Sequence, residues 1–172
     1  MPRRRENYGN WNVLNVSILG NFSLRNLSGK KIELRNRRGK ALLALLAIDP
    51  EHQLSREHVS QLLWSGRFKK QARASLRQCL HDLSREFELL GVSLFETSNT
   101  HIALKNDLIS TDLQQLEKIL AEGSIDKAII ELDKLKGQRL LQDLKFGDTF
   151  EAWLRAQRLQ VESRLRVIVD RR

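Results

Sequence analysis

Lys69-Lys70-Gln71-Ala72-Arg73-Ala74-Ser75-Leu76-Arg77-Gln78-Cys79-Leu80-His81-Asp82-Leu83-Ser84-Arg85-Glu86-Phe87 sets the frame for the rest of the chain. It holds no Pro or Gly, and Ala, Leu, Arg and Gln favour helix. Leu76, Leu80, Leu83 and Phe87 are four, three and four residues apart, which is one face of an α-helix. At about 100° per residue, Gln78, His81 and Arg85 fall opposite that face. Arg77 sits on one shoulder with Arg73 nearer the apolar side, and Asp82 and Glu86 share the other shoulder. The pattern predicts a helix over 71–89 with an apolar back, a basic outer strip and an acidic edge. Such a strip suits the major groove of DNA. It also suits water, because most charge runs are solvated faces. The flanking sequence separates the two readings.

Upstream, Ser55 can cap a helix running from Arg56 to Trp64, with Glu57 in its first turn. Val59, Leu62 and Leu63 form its inner side. Ser65-Gly66-Arg67-Phe68 is a short turn, so the two helices match a helix-turn-helix. Downstream, Gly91 is placed to end the long helix. Val92–Glu96 and Thr100–Leu104 then flank Thr97-Ser98-Asn99 as a β-hairpin. A hairpin directly after such a helix reads as a wing.

Residues 37–48 are apolar nearly all round after a basic start, which predicts a central core helix stopped at Asp49-Pro50. Arg37, Arg38 and Lys40 crowd its first turn, where the helix dipole disfavours cations. A nearby anion would explain them. So would simple exposure, which costs only tenths of a kcal/mol, and we favour the latter. Before them, Leu14–Leu19, Phe22–Leu24 and Lys31–Leu34 alternate apolar with polar, predicting a small antiparallel sheet with one buried face. Residues 1–12 read as a basic arm, with Arg3, Arg4 and Arg5 either near phosphates or merely solubilising.

After the hairpin, residues 105–111 read as a link ending in the capping cluster Ser110-Thr111-Asp112. Leu113, Leu116, Ile119 and Leu120 stripe one helix. Ile125, Ala128, Ile129, Leu132 and Leu135 stripe a second. Phe150, Trp153, Leu154, Gln157, Val161, Leu165 and Ile168 mark a long third. Helical hairpins of this kind build tetratricopeptide-like stacks.

The net charge of +9 is unevenly placed. Residues 1–106 carry 18 Lys/Arg against 9 Asp/Glu, whereas residues 107–172 carry 12 of each. This split predicts a polyanion-binding domain followed by a neutral one. No apolar run is long enough to cross a membrane, and no signal core follows the basic start, so a cytoplasmic place is expected. The single Cys79 cannot form an internal disulfide.

Taken together, the order of sheet, core helix, helix-turn-helix and wing resembles the OmpR-type winged-helix domain. Leu62-Leu63-Trp64 followed by Ala72-x-x-x-Leu76-Arg77-x-x-Leu80-x-x-Leu83 resembles the antibiotic-regulatory-protein (SARP) branch of bacterial activators. Gly123, Ala128, Leu135-x-Gly137, Leu140-Leu141, Phe150-x-x-Trp153-Leu154 and Arg158 are similar to that branch's bacterial transcriptional activator domain. The resemblance covers residues 13–168. It implies an α+β winged helix-turn-helix at 13–106, followed by an all-α, tetratricopeptide-like segment at 107–172. That segment looks less than half the usual length, so it reads as incomplete or shortened. The resemblance also implies sequence-specific DNA binding, RNA polymerase as a partner, activation of transcription, and tandem binding to direct repeats.

The functional expectation is therefore a DNA-binding transcriptional regulator, with helix 71–89 in the major groove. Arg77, Gln78 and His81 are candidates for base edges, because Arg reads guanine and Gln adenine bidentately. Arg73 and Arg85 point towards phosphates or bases. Arg56, Lys69 and Lys70, with Thr97, Asn99, Thr100 and His101 of wing 92–104, would hold the backbone. Weak self-association and cooperative dimers on DNA are expected.

No cofactor, metal or enzymatic chemistry is expected. Cys79 and His81 lie on different sides of one helix, His52, His58 and His101 have no ligand spacing, and Asp82 with Glu86 reads as a solvated edge. The rival reading is a winged-helix docking or sensor module of a larger signalling protein, whose basic face meets an acidic partner. RNA binding is a weaker third, for want of an aromatic stacking surface.

Overall fold

Helix α1 (Arg37–Ile48) runs through the centre of the fold, and every residue from Ala41 to Ile48 is buried. The Asn36 side chain starts it by accepting from the Arg38 and Gly39 amides at 2.9 and 3.2 Å. Asp49, extended ahead of Pro50, ends it. The computed structural model describes residues 14–170, the side chains of 167–169 excepted. The basic stretch 1–12 lies outside the described residues, and so does the side chain of Ile168.

Around α1 stand α2 (Arg56–Leu63) and α3 (Lys69–Leu89), both packed on it and on each other. Ser55 caps α2 by accepting from the His58 amide at 3.1 Å, the role its sequence position predicts. Gly91 takes φ +78°, the left-handed turn that ends α3 at little steric cost. There the Gly91 and Val92 amides donate back to the carbonyls of Glu88 and Phe87.

Two small sheets complete this half. In the first, β1 (Leu14–Ser17) pairs antiparallel with β2 (Ser23–Arg25) and parallel with β6 (Ile109–Thr111). In the second, β5 (His101–Leu104) lies between β3 (Gln53–Ser55) and β4 (Phe95–Thr97), antiparallel to both.

The first sheet departs from its expectation as purely antiparallel. Lys31–Leu34 makes only a bridge at Lys31 to Arg25, with the Ile32 amide donating to the Leu24 carbonyl. The chain then leaves to supply the Asn36 cap. The free edge of β1 is filled from the stretch read as a link. Residues Asn106–Leu108 form a 3-10 turn and Ile109–Thr111 become β6. Burial explains the exchange: Ile109 and Thr111 are buried, whereas Lys31 and Glu33 are exposed and pair with each other at 3.0 Å. The hairpin also begins later than expected, at Phe95, so its turn is Ser98–Thr100.

Thr111 ends β6 and caps α4 (Asp112–Ala121) in a reciprocal box with Gln114. Then come α5 (Ile125–Lys134) and α6 (Asp148–Val169), with α4 packed on α5, α5 on α6 and α6 on α2. Arg158 of α6 donates to the Leu140 carbonyl at 3.1 Å, and Arg164 pairs with Glu117 of α4. One hydrophobic cluster runs from Leu14 through α1 and α3 to Phe150, Leu154 and Val161.

Polar ties reinforce the seam between the halves. The Asp112 carboxylate accepts from the Ile18 and Leu19 amides at 3.0 and 3.1 Å. Asp143 accepts from the Phe22 amide at 2.8 Å, and the Leu141 amide donates to the Ile18 carbonyl at 2.9 Å. Buried His52 spans α1 and α4. Its Nδ1 meets the Leu46 carbonyl at 3.0 Å and its Nε2 meets the Gln114 amide at 2.9 Å. Gln114 Oε1 is already engaged by the Thr111 amide, so its nitrogen donates to His52 Nε2, and Nδ1 carries the proton. Among the described residues no helix is long and apolar enough to cross a membrane.

Candidate nucleic-acid interface

Helix α3 buries Ala72, Leu76, Cys79, Leu80, Leu83 and Phe87, and Phe87 meets Phe95 of β4 edge-to-face at 6.1 Å. That anchoring leaves Lys70, Arg73, Arg77, Gln78, His81 and Arg85 exposed along its other side. Among the described residues, none of Arg73, Arg77 and Arg85 is in an ion pair. Their charge therefore faces outward, uncompensated by a close carboxylate.

The hairpin tip is tied to the start of α2. Arg56 donates from its backbone amide to the Thr100 carbonyl and from Nε to the Ser98 carbonyl, both at 2.8 Å. Ser98 Oγ accepts from the Thr100 and His101 amides at 3.3 and 3.0 Å, which closes the turn. Between tip and helix lies a cleft of about 560 Å³. Arg56, Arg73, Arg77, Asn99, Thr100 and His101 line it, with Glu57 as the one acidic side chain.

Six of the sequence candidates thus converge on one cleft, and the others stand apart from it. Gln78 and His81 lie on the outer face of α3 beside Asp82: Gln78 Nε2 donates to Asp82 Oδ1 at 2.8 Å, and His81 Nδ1 is 3.5 Å from the same oxygen. Arg85 is exposed nearer the C-terminal end of α3, and Lys70 is exposed in its first turn. Lys69 instead lines a second cleft, of about 350 Å³, with Trp64, Arg67 and Thr149. Thr97 is exposed on β4 but does not line the main cleft.

Three contributors escaped the sequence reading. Ser98 shapes the tip, and a serine in a turn is a signal for such bonding. Asp82 holds Gln78, and Gln with Asp four residues on is a recognised helix pair. Arg67, in the turn before α3, donates to Ser75 Oγ.

The cations at the start of α1 belong to the fold. Arg37 donates to the Lys145 carbonyl at 2.6 Å and stacks over Phe146 at 4.7 Å. Arg38 donates to the Leu63 carbonyl at 3.1 Å and lies 5.6 Å from the Trp64 ring. Partner carbonyls and rings account for both without a bound anion.

Among the described residues three groups depart from their ordinary titration, and the first is Glu33, whose carboxyl is held below its usual range by its bond to Lys31. Burial pushes the Cys79 thiol up to about 11, with Asp82 adding to the effect and Arg38 opposing it. Burial likewise holds the Asp112 carboxyl above its usual range, partly offset by the amides of Ile18, Leu19 and Leu113. Among the described residues, no three His, Cys, Asp or Glu side chains gather closely enough to hold a metal ion.

A fold of this kind is found in a solved structure. The chain superposes on Mycobacterium tuberculosis EmbR, solved in complex with a low-affinity phosphopeptide, with a TM-score of 0.62 and 17% sequence identity. The match covers 87% of this chain and 43% of the EmbR chain, so this chain spans less than half of that one. At that identity the likeness is one of fold. No protein-family model and no curated protein sequence matches the chain.

Proposed function

We propose that this chain is a sequence-specific, double-stranded-DNA-binding transcriptional regulator. In this reading α2, its turn and α3 work as a helix-turn-helix, and the β4–β5 hairpin is its wing. The observation that carries it is the cleft between α3 and the hairpin tip. Arg56, Arg73 and Arg77 face it from the helices, while Asn99, Thr100 and His101 face it from the tip. A phosphate strand in that cleft would be met from both sides, while the outer face of α3 entered the adjacent major groove. Arg77 lies where the two overlap and is the first candidate to reach a base. The EmbR-like fold supports a regulator of the SARP type.

The same reading has cytoplasmic, cooperative dimers on direct repeats and RNA polymerase as the partner of the helical segment. It involves no cofactor and no catalytic step. The test is selection of bound duplexes from a random pool by the whole chain. The expected outcome is a short recurring sequence, repeated about one helical turn apart. A pool that stays random through the selection would reject the proposal.

A further inference from the structure

Among the described residues, Asp82 is the one acidic side chain set against two of the candidate base readers. It accepts from Gln78 Nε2 at 2.8 Å, and His81 Nδ1 stands 3.5 Å from the same oxygen. An ionised carboxylate has no proton to give, so the Gln78 atom that meets it is the amide nitrogen. The amide oxygen is left facing away, and among the described residues it has no partner. The spacing of four residues on a continuous helix brings the two side chains together without bending either.

We propose that Asp82 is a positioning residue that fixes the Gln78 amide with its oxygen outward. Helix α3 thereby selects a base with an exocyclic amine, adenine or cytosine, where Gln78 meets the groove. This rests on the DNA-binding reading above. In the major groove adenine N6 and cytosine N4 donate, whereas guanine O6 and thymine O4 accept. An outward amide oxygen pairs with the first two and repels the others. The second hydrogen on Nε2 remains for adenine N7, which puts adenine ahead of cytosine. An untethered glutamine turns its amide over and offers the nitrogen to guanine or thymine instead. The Asp82 bond removes that alternative. Asp82 makes this choice without touching DNA.

The experiment is duplex selection by the whole chain, run on the wild type and on Gln78→Ala, Asp82→Ala and Asp82→Glu. The wild type is expected to restrict one position to adenine or cytosine. Gln78→Ala loses the restriction there and at no other position. Asp82→Ala admits guanine and thymine at that position, and discrimination falls about tenfold. Asp82→Glu keeps a carboxylate, which can only accept, four residues from Gln78, so it retains the restriction. The assignment is overturned if the Gln78-dependent position prefers guanine or thymine. It is equally overturned if Asp82→Ala leaves the preference unchanged, or if the Ala and Glu variants behave alike. A wild-type chain that selects no duplex rejects the DNA-binding reading itself. That failure is distinct, because no position is then restricted in any variant.

Discussion

At the scale of the residue, the outer face of α3 would divide, on a duplex, into positions expected to reach bases and positions expected to reach phosphates. Arg77 is in the cleft and exposed, four residues after Arg73 and four before His81. If it reads a guanine, Arg77→Ala costs about 1–3 kcal/mol of binding and relaxes one base position. Lys70 stands in the first turn of α3. Lys70→Ala is expected to weaken all sequences alike and to lower the salt slope by about 1. Titrations against single-base variants at several salt concentrations check both, and exchanged behaviour of the two mutants would reverse the orientation of the helix. A second prediction concerns Asp112. Its folded pKa is raised by burial, so the native state holds that proton more tightly than the unfolded chain. The contribution of Asp112 is then fully present below the unfolded value near 3.9 and is lost as pH rises through the higher folded value. Thermal melts from pH 4 to 7 should show the wild type losing ground to Asp112→Asn as pH climbs. A constant difference across that range would contradict the assignment.

At the scale of the element, the apolar back of α3 is the structural part of the helix. Leu80 is buried at 7% exposure, and Leu80→Ala is expected to cost about 2–5 kcal/mol of stability. Denaturant unfolding measures this, and a loss below about 1 kcal/mol would mean the stripe is not core. That stripe was legible because a 21-residue helix repeats its pattern several times. The same holds for α1, where every residue after Lys40 is buried, and for Phe150, Leu154 and Val161 of α6. The strands β3 and β6 were not legible. Three residues make too little alternation to recognise, and their partners come from far along the chain: Leu54 faces Ile102, and Ile109 faces Leu14. The same limit applies in the candidate site. Caps and turns pointed to Arg56, Asn99 and Thr100, whereas the separation of Lys69 and Thr97 from the cleft depends on tertiary packing. Gln78 and Asp82 were placed on different faces, although about 40° around the axis is within side-chain reach.

At the scale of the whole molecule, surplus charge and cleft lie in the same half, while the neutral helical segment closes over the first sheet. The ties from Asp112, Asp143 and Arg37 join the two, so a change in the helical segment bears on the frame that holds α3. The claim that matters most is that this frame presents a duplex-reading surface. The direct measurement is fluorescence anisotropy of the whole chain with its selected duplex and with a scrambled duplex of equal length, at stepped salt. The selected duplex is expected to bind about 10³-fold or more tightly, with both affinities falling as salt rises. Arg73→Ala combined with Arg77→Ala is expected to bring the two duplexes close to parity. Equal affinity of the folded wild-type chain for both duplexes at every salt concentration would rule out a duplex-reading surface.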